Sequence, residues 1–265
     1  MNIFVRITLL WYNEELTTAF EKGITMPAKR TVSTRPLYLC APVNALVEGL
    51  YEENIPFTEV KRHGDFGLGT FDDLDGEMVM LGGKIYQITV DGEAHEVSEE
   101  MHTPFAVVTF FEPTFSTTFD EAMDYETFQK RLESLFYSPN LFYAIRVTGS
   151  FSHVRARSVP KQHNYRPLDE AAHEQHTFDF KNIEGCLVGF FTPAFMASLN
   201  VPGVHLHFLT NDRRRGGHLL SCCPVAVTVE VQVIHALELS LPMTRDYLTR
   251  DFSQDKTAAL EKAEK

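Results

Sequence analysis

The segment Gly203-Val204-His205-Leu206-His207-Phe208-Leu209-Thr210, followed by Asn211-Asp212-Arg213-Arg214-Arg215-Gly216-Gly217-His218, decides how this chain is read. Side chains of a strand alternate between its two faces. His205 and His207 therefore point to one side, and Val204, Leu206 and Phe208 to the other. The polar run 211–217, ending in two glycines, is hairpin chemistry; it returns the chain and sets His218 beside the histidine pair. Three imidazoles on adjacent strands are the donor set of a catalytic zinc site, which binds at ~2.0–2.1 Å and keeps one position open. A bare HxH also arises where surface histidines alternate along an exposed strand. The hairpin and the third histidine are what favour a metal.

Outward from this segment, 178–191, 218–220 and 225–233 read as further strands, and 141–159 as one or two strands around Gly149. Toward the N-terminus, 42–49 reads as a helix with Pro42 in its first turn and Gly49 at its end. Asp72, Asp75 and Gly76 are turn residues. The strands 78–81 and 85–90 flank Gly82-Gly83, and Asp91-Gly92 closes the second one. The apolar run 105–111 reads as a buried strand, and 125–136 as a helix with Phe128, Leu132, Leu135 and Phe136 at helical spacing. The polar stretch 161–176 reads as a link between two lobes, and 253–264 as a terminal helix capped by Ser253 or Asp255. The expected class is mixed α/β, dominated by sheet.

Composition narrows the function. The chain has 265 residues, 44% hydrophobic and 23% charged, the balance of a globular domain or two closely packed ones. Its 21 Phe against a single Trp favour sheet. A formal net charge of −12 argues against nucleic acid, whose phosphates need clustered Lys and Arg, but leaves room for a small anionic substrate held by a metal and an arginine. None of the four cysteines, Cys40, Cys186, Cys222 and Cys223, forms a CxxC pair, so a thiolate zinc site is disfavoured and free thiols in a reducing compartment are expected. The apolar run 3–12 is interrupted by Arg6, followed by Glu14 and Glu15, and short of the ~20 residues of a membrane span. The expectation is a cytoplasmic protein without a membrane span.

Other candidate residues are ambiguous on local pattern. Arg155 and Arg157 alternate on a strand, and either guanidinium suits a substrate carboxylate, yet a salt bridge or a solvated edge fits as well. Glu77 follows the turn Asp75-Gly76 and reads as a strand-edge charge. Glu264, the penultimate residue, reads as a frayed end. His153, His163, His173 and His176 read as surface histidines.

From about Leu37 onward the chain resembles the alpha-acetolactate decarboxylases. The resemblance rests on His63-Gly64-Asp65-Phe66-Gly67-Leu68-Gly69-Thr70-Phe71, Leu74-Asp75-Gly76-Glu77, Thr103-Pro104-Phe105-Ala106-Val107, Asn140-Leu141-Phe142-Tyr143-Ala144 and Arg155-Ala156-Arg157-Ser158-Val159-Pro160, then on Val201 to Phe208 and Gly216-Gly217-His218. It implies zinc ligation by His205, His207 and His218, carboxylates facing the metal from Glu77 and Glu264, an active-site arginine at Arg157, and Thr70 in the pocket wall. It also implies a C-terminal tail folded back over the metal, and a homodimer. The implied fold is an N-terminal mixed sheet with helices and a C-terminal open barrel-like sheet carrying the zinc site. The corresponding division is an extension 1–36, an N-terminal α/β lobe 37–165 and a C-terminal zinc-binding β lobe 166–265.

The implied reaction is zinc-dependent decarboxylation of 2-acetolactate, a small 2-hydroxy-3-oxo acid, to (R)-acetoin and CO2 through a metal-stabilised enediolate, with no thiamine or pyridoxal motif in the chain. A zinc hydrolase using metal-bound hydroxide, or a non-enzymatic sheet protein stabilised by zinc, are the rival readings of the same histidines.

Overall fold

The computed structural model describes residues 34–52, 55–163 and 166–264. The expected extension 1–36, with the alternative of a helix at 11–22, lies outside the described residues as far as residue 33.

In chain order the strands are β1 (Leu37–Leu39), β2 (Ile55–Pro56), β3 (Phe66–Thr70), β4 (Glu77–Leu81), β5 (Lys84–Ile88), β6 (Ala94–Glu96) and β7 (His102–Thr103), then β8 (Ala106–Thr109), β9 (Phe115–Phe119), β10 (Phe142–Ser158), β11 (His176–Thr192), β12 (Gly203–Thr210), β13 (Gly216–Ile234) and β14 (Leu237–Leu239). The helices are α1 (Val43–Val47), α2 (Phe57–Val60), α3 (Tyr125–Glu133), α4 (Leu168–Ala171), α5 (Arg245–Thr249) and α6 (Thr257–Ala263). A seven-stranded mixed sheet runs β14-β1-β8-β3-β4-β5-β6, and a second sheet runs β10-β11-β12-β13-β9, with β10 also paired to β13. That extra pairing curls the second sheet into an open barrel. The sheet-dominated mixed α/β class agrees with the sequence reading.

Local chemistry explains most elements. Gly82 and Gly83 adopt φ of 61° and 75° between β4 and β5, the left-handed pair that a two-residue hairpin of matching twist requires. The Asp124 side chain accepts from Thr127 N at 2.8 Å and starts α3, which buries Phe128 and Leu132 one turn apart. Phe151, Phe180 and Phe208 pack together inside the barrel, and Phe66, Val79, Leu209 and Phe190 belong to the core shared with the seven-stranded sheet.

Three elements differ from the sequence reading. The segments 218–220 and 225–233 belong to one strand, β13, because Pro224 falls where the β10–β13 register shifts and no ladder N–H is demanded of it. The polar link contains α4, which follows Pro167 and buries Leu168 and Ala171. The terminal helix starts at Thr257, whose N–H donates to Asp255 Oδ1 at 2.9 Å.

Candidate active site

Two cross-strand rows face each other. In the barrel, Arg157 on β10 pairs with His218 on β13, and His218 pairs with His207 on β12, so these side chains share one face; His205 lies two residues along β12 on that face. In the other sheet, Thr70 on β3 pairs with Glu77 on β4. The rows touch where His207 Nδ1 lies 2.9 Å from the Met78 carbonyl. A carbonyl oxygen only accepts, so Nδ1 carries the proton and Nε2 offers its lone pair.

Two glycines permit close packing of the barrel strands that carry the histidines and Arg157. Gly217 has φ 151°, and a Cβ there would stand 2.5 Å from the Arg157 carbonyl oxygen. A Cβ on Gly189 would stand 2.0 Å from the His205 carbonyl oxygen, so β11 could not lie against the histidine-bearing stretch of β12.

The sequence could not decide between Arg155 and Arg157, which by simple alternation share a face. They do share a face of β10, opposite the buried Val154 and Ala156, and differ in what covers them. Arg155 is exposed; Arg157 is buried at 5% exposure. Arg157 Nη2 donates to the Ala263 carbonyl at 2.9 Å, and Nη1 lies 3.6 Å from Glu77 Oε1. Among the described residues, its buried Nε finds no acceptor.

Glu264, a frayed end on local pattern, is drawn in behind α6. Leu260 and Ala263 bury against the core, while Lys262 reaches Asp169 at 3.1 Å. Glu264 Oε2 stands 3.5 Å from His205 Nε2 and 3.7 Å from His218 Nε2, and Glu77 Oε2 stands 3.4 Å from His207 Nε2. Thr70 donates to the Gly76 carbonyl at 2.7 Å and so braces the turn that delivers Glu77. A cavity of about 50 Å³ lies among these residues, with Leu46, Leu74, Phe105 and Leu168 in its apolar wall. Leu74 and the Met78 carbonyl carry no sequence signal of their own. Leu74 arrives through two successive left-handed residues, Asp73 (φ 62°) and Leu74 (φ 53°).

Electrostatics follow from burial. Burial, and then the Arg157 charge, lowers His205 to about 3. Burial holds His207 and His218 well below the ordinary histidine value, so all three imidazoles are neutral donors. Burial pushes Glu77 up to about 7 against the opposing pull of Arg157, and Glu264 is raised for the same reason.

The donor set fits a metal ion. The three imidazole nitrogens lie within 4.8 Å of one another. His205 Nε2 and His218 Nδ1 are 3.1 Å apart, against an edge of about 3.3 Å for a tetrahedron with bonds of ~2.0 Å. Fold and site together have the make-up of a mononuclear metalloenzyme.

Comparison with known proteins gives the family. The sequence profile described as Alpha-acetolactate decarboxylase matches residues 37–254. An alpha-acetolactate decarboxylase of Brevibacillus brevis is 43% identical over 239 residues, covering 90% of this chain and 82% of that protein. One from Methanosarcina mazei is 41% identical over 230 residues, covering 86% and 80%. The crystal structure of the Bacillus subtilis enzyme superposes with a TM-score of 0.84 at 35% identity, covering 86% of this chain and 99% of that one. The chain belongs to the alpha-acetolactate decarboxylase family, whose named members are carboxy-lyases.

Proposed function

We propose that this chain decarboxylates 2-acetolactate to (R)-acetoin and CO2, using a zinc ion held by His205, His207 and His218. The observation that carries the reading is the meeting of three neutral imidazoles with Glu77, Arg157 and Glu264 in one buried pocket of a chain from this family. Bound zinc supplies Lewis-acid stabilisation of the negative charge that departing CO2 leaves on the substrate oxygens. Arg157, held in place by the Ala263 carbonyl, offers its free Nε–H to the substrate anion. Leu46, Leu74, Phe105 and Leu168 exclude water and strengthen that contact. Thr70 keeps Glu77 aimed at His207.

As the carbon–carbon bond to CO2 breaks, its electron pair stays on the substrate, and that carbon must gain a proton. Glu77 and Glu264, both with raised pKa, are the groups suited to hold that proton near neutrality and release it to one face. The fixed wall fixes the handedness of the product.

The free thiols Cys40, Cys186, Cys222 and Cys223 suit the cytoplasm. Exposed Leu241, Met243 and Leu248, just after edge strand β14, suit a face covered by a second copy. The division into an extension 1–36 and lobes 37–165 and 166–265 belongs to the same proposal. Among the described residues no helix is long and apolar enough to cross a membrane.

The test incubates purified protein with racemic acetolactate and follows acetoin and its handedness by chiral chromatography, with and without a chelator. One enantiomer, lost on chelation and restored by zinc, is expected. No acetoin, or turnover indifferent to metal removal, overturns the reading.

A further inference from the structure

The barrel has a gap beside the histidines. The β12–β13 ladder consists only of the pairs His207–His218, Phe208–Gly217 and Leu209–Gly216. Before His207, β12 continues on its other edge against β11, with Leu206 opposite Gly189 and Val204 opposite Phe191. After His218, β13 stays paired to β10, and the edge it had offered to β12 is next taken by β9, from Val227 opposite Phe119 onward. Between those two points the strands splay. Val204 and Leu206 stand on one side, Leu219 and Leu220 on the other.

A cavity of about 370 Å³ occupies the splay, several times the volume of about 50 Å³ on the Glu77 and Arg157 side. Tyr125 and Gln129 of α3 and Leu260 and Glu261 at α6 complete its rim. His205, His218 and Glu264 line both cavities, whereas His207, Glu77 and Arg157 line only the smaller one. The histidine cluster is therefore a partition with space on both sides. The exposures agree: the His205 side chain is 11% exposed, against 2% for His207 and 5% for His218.

We propose that this seam is the passage through which the small 2-hydroxy-3-oxo acid reaches the metal site and its products leave, with Gln129 of α3 and Leu220 of β13 setting its width. The proposal rests on the reading of the histidines as a metal site. The competing route runs under the tail, but α6 is tied down on both flanks, by Lys256 to Glu48 at 2.7 Å and by Lys262 to Asp169 at 3.1 Å, and Leu260 is buried beneath it. The seam needs no such contact to break. Its wall is mostly aliphatic, from Val204, Leu206, Leu219, Leu220 and Leu260, so a small molecule crossing it meets little that would hold it.

Leu220 and Gln129 are both half-buried at the rim, on separate elements, and neither touches the histidines in any contact described above. Leu220→Trp and Gln129→Trp narrow the seam from opposite sides, and Tyr125→Ala widens it. Each is compared with the wild-type full-length protein for zinc content and melting temperature. Two rates are then measured: kcat/KM for acetolactate, and the second-order rate at which 1,10-phenanthroline strips zinc from the loaded protein.

The expected result is that both Trp variants keep zinc and stability while each rate falls at least about tenfold, as for a closed gate, and that Tyr125→Ala speeds stripping. Wild-type rates in both Trp variants overturn the proposal. So does Lys262→Glu accelerating stripping while the Trp variants leave it unchanged, since entry then runs under the tail. If the wild-type protein binds zinc but forms no acetoin, the proposed reaction fails. The stripping rates alone then decide whether the seam is the way in.

Discussion

His207 on β12 stands directly opposite His218 on β13, with ring centroids 5.4 Å apart. This pair ends the short ladder between the two strands, so the turn behind it sets the register. Thr210 N donates to the Arg215 carbonyl at 2.8 Å, Asp212 Oδ1 accepts from Thr210 Oγ1 at 2.7 Å and from Arg214 N at 3.1 Å, and Arg213 takes φ 62°. A slip of one residue in either strand would send its histidine to the opposite face. The polar, arginine-rich turn thus holds the two imidazoles of the cluster in register.

His207→Ala should abolish zinc binding and acetoin formation together. It removes the donor whose Nε2 is presented by the Met78 carbonyl, and two imidazoles do not make a tight catalytic site. Metal content by atomic absorption after gel filtration is the check. One zinc per chain with normal turnover would remove His207 from the site.

Arg157→Lys should keep the fold and the metal but lose most activity, on the order of 10²-fold in kcat. An ammonium cannot donate to the Ala263 carbonyl and to a substrate anion in the planar geometry that Nη2 and the free Nε provide. Zinc analysis and a thermal melt establish that the variant is intact before its rate is read. Wild-type kinetics would leave charge stabilisation to the metal alone.

The elements that position the site were legible where chemistry is local. HxH, the Gly-Gly-His return and the Gly82-Gly83 hairpin each follow from side-chain alternation or glycine conformation, and each lies where its pattern puts it. What local pattern could not supply depends on long-range packing. Arg157 is buried where Arg155 is not because Glu77 of the other sheet and the Ala263 carbonyl of the tail meet it. The burial of Glu264 depends on Leu260 and Ala263 finding a core built largely from the other end of the chain. Only the family resemblance pointed to Glu264, because a six-residue tail carries no periodicity to read.

Glu77 should titrate near 7 in metal-depleted protein, because burial raises it from 4.5 more than Arg157 lowers it. Between those two values the folded chain keeps a proton that the unfolded chain gives up. A cation beside this carboxyl favours its ionised form, so adding zinc near pH 6.5 should release protons. Calorimetry in two buffers of different ionisation enthalpy counts them. Glu77→Gln should release fewer; an unchanged count would place the proton elsewhere.

Metal-depleted protein should lose stability as pH falls below about 6.5. Folded His205 binds its proton only near 3, and His207 and His218 are also depressed, so protons bind the unfolded chain more tightly across this window. The stability of the neutral form is complete above 6.5 and declines toward 3. Glu77, shifted upward from 4.5 to about 7, offsets part of the loss. Urea melts between pH 7 and pH 4 are the check, and a midpoint that does not move would contradict buried neutral imidazoles.

The tail gives the sharpest test, because ordinary experience of chain ends and the geometry disagree about it. Terminal residues commonly fray and tolerate truncation. Here Glu264 Oε2 lies 3.5 Å from His205 Nε2 and 3.7 Å from His218 Nε2, and the Ala263 carbonyl accepts from Arg157. Deleting Ala263, Glu264 and Lys265 removes a carboxylate and an arginine partner but little apolar surface. The melting temperature should stay near that of the full chain, and zinc should remain on its three histidines, while kcat falls about 10²-fold or more, the scale of a lost acid–base group. The deletion also frees Arg157, so it does not isolate the carboxyl. Glu264→Gln does, since it preserves shape and the Ala263 carbonyl and removes only the ionisable group. Equal defects in the two variants would assign the loss to the carboxyl; a milder defect in Glu264→Gln would assign the remainder to the Ala263–Arg157 bond. If both turn over acetolactate at the wild-type rate, the tail only covers the site, and Glu77 is left as the one carboxyl beside the histidines able to carry the proton.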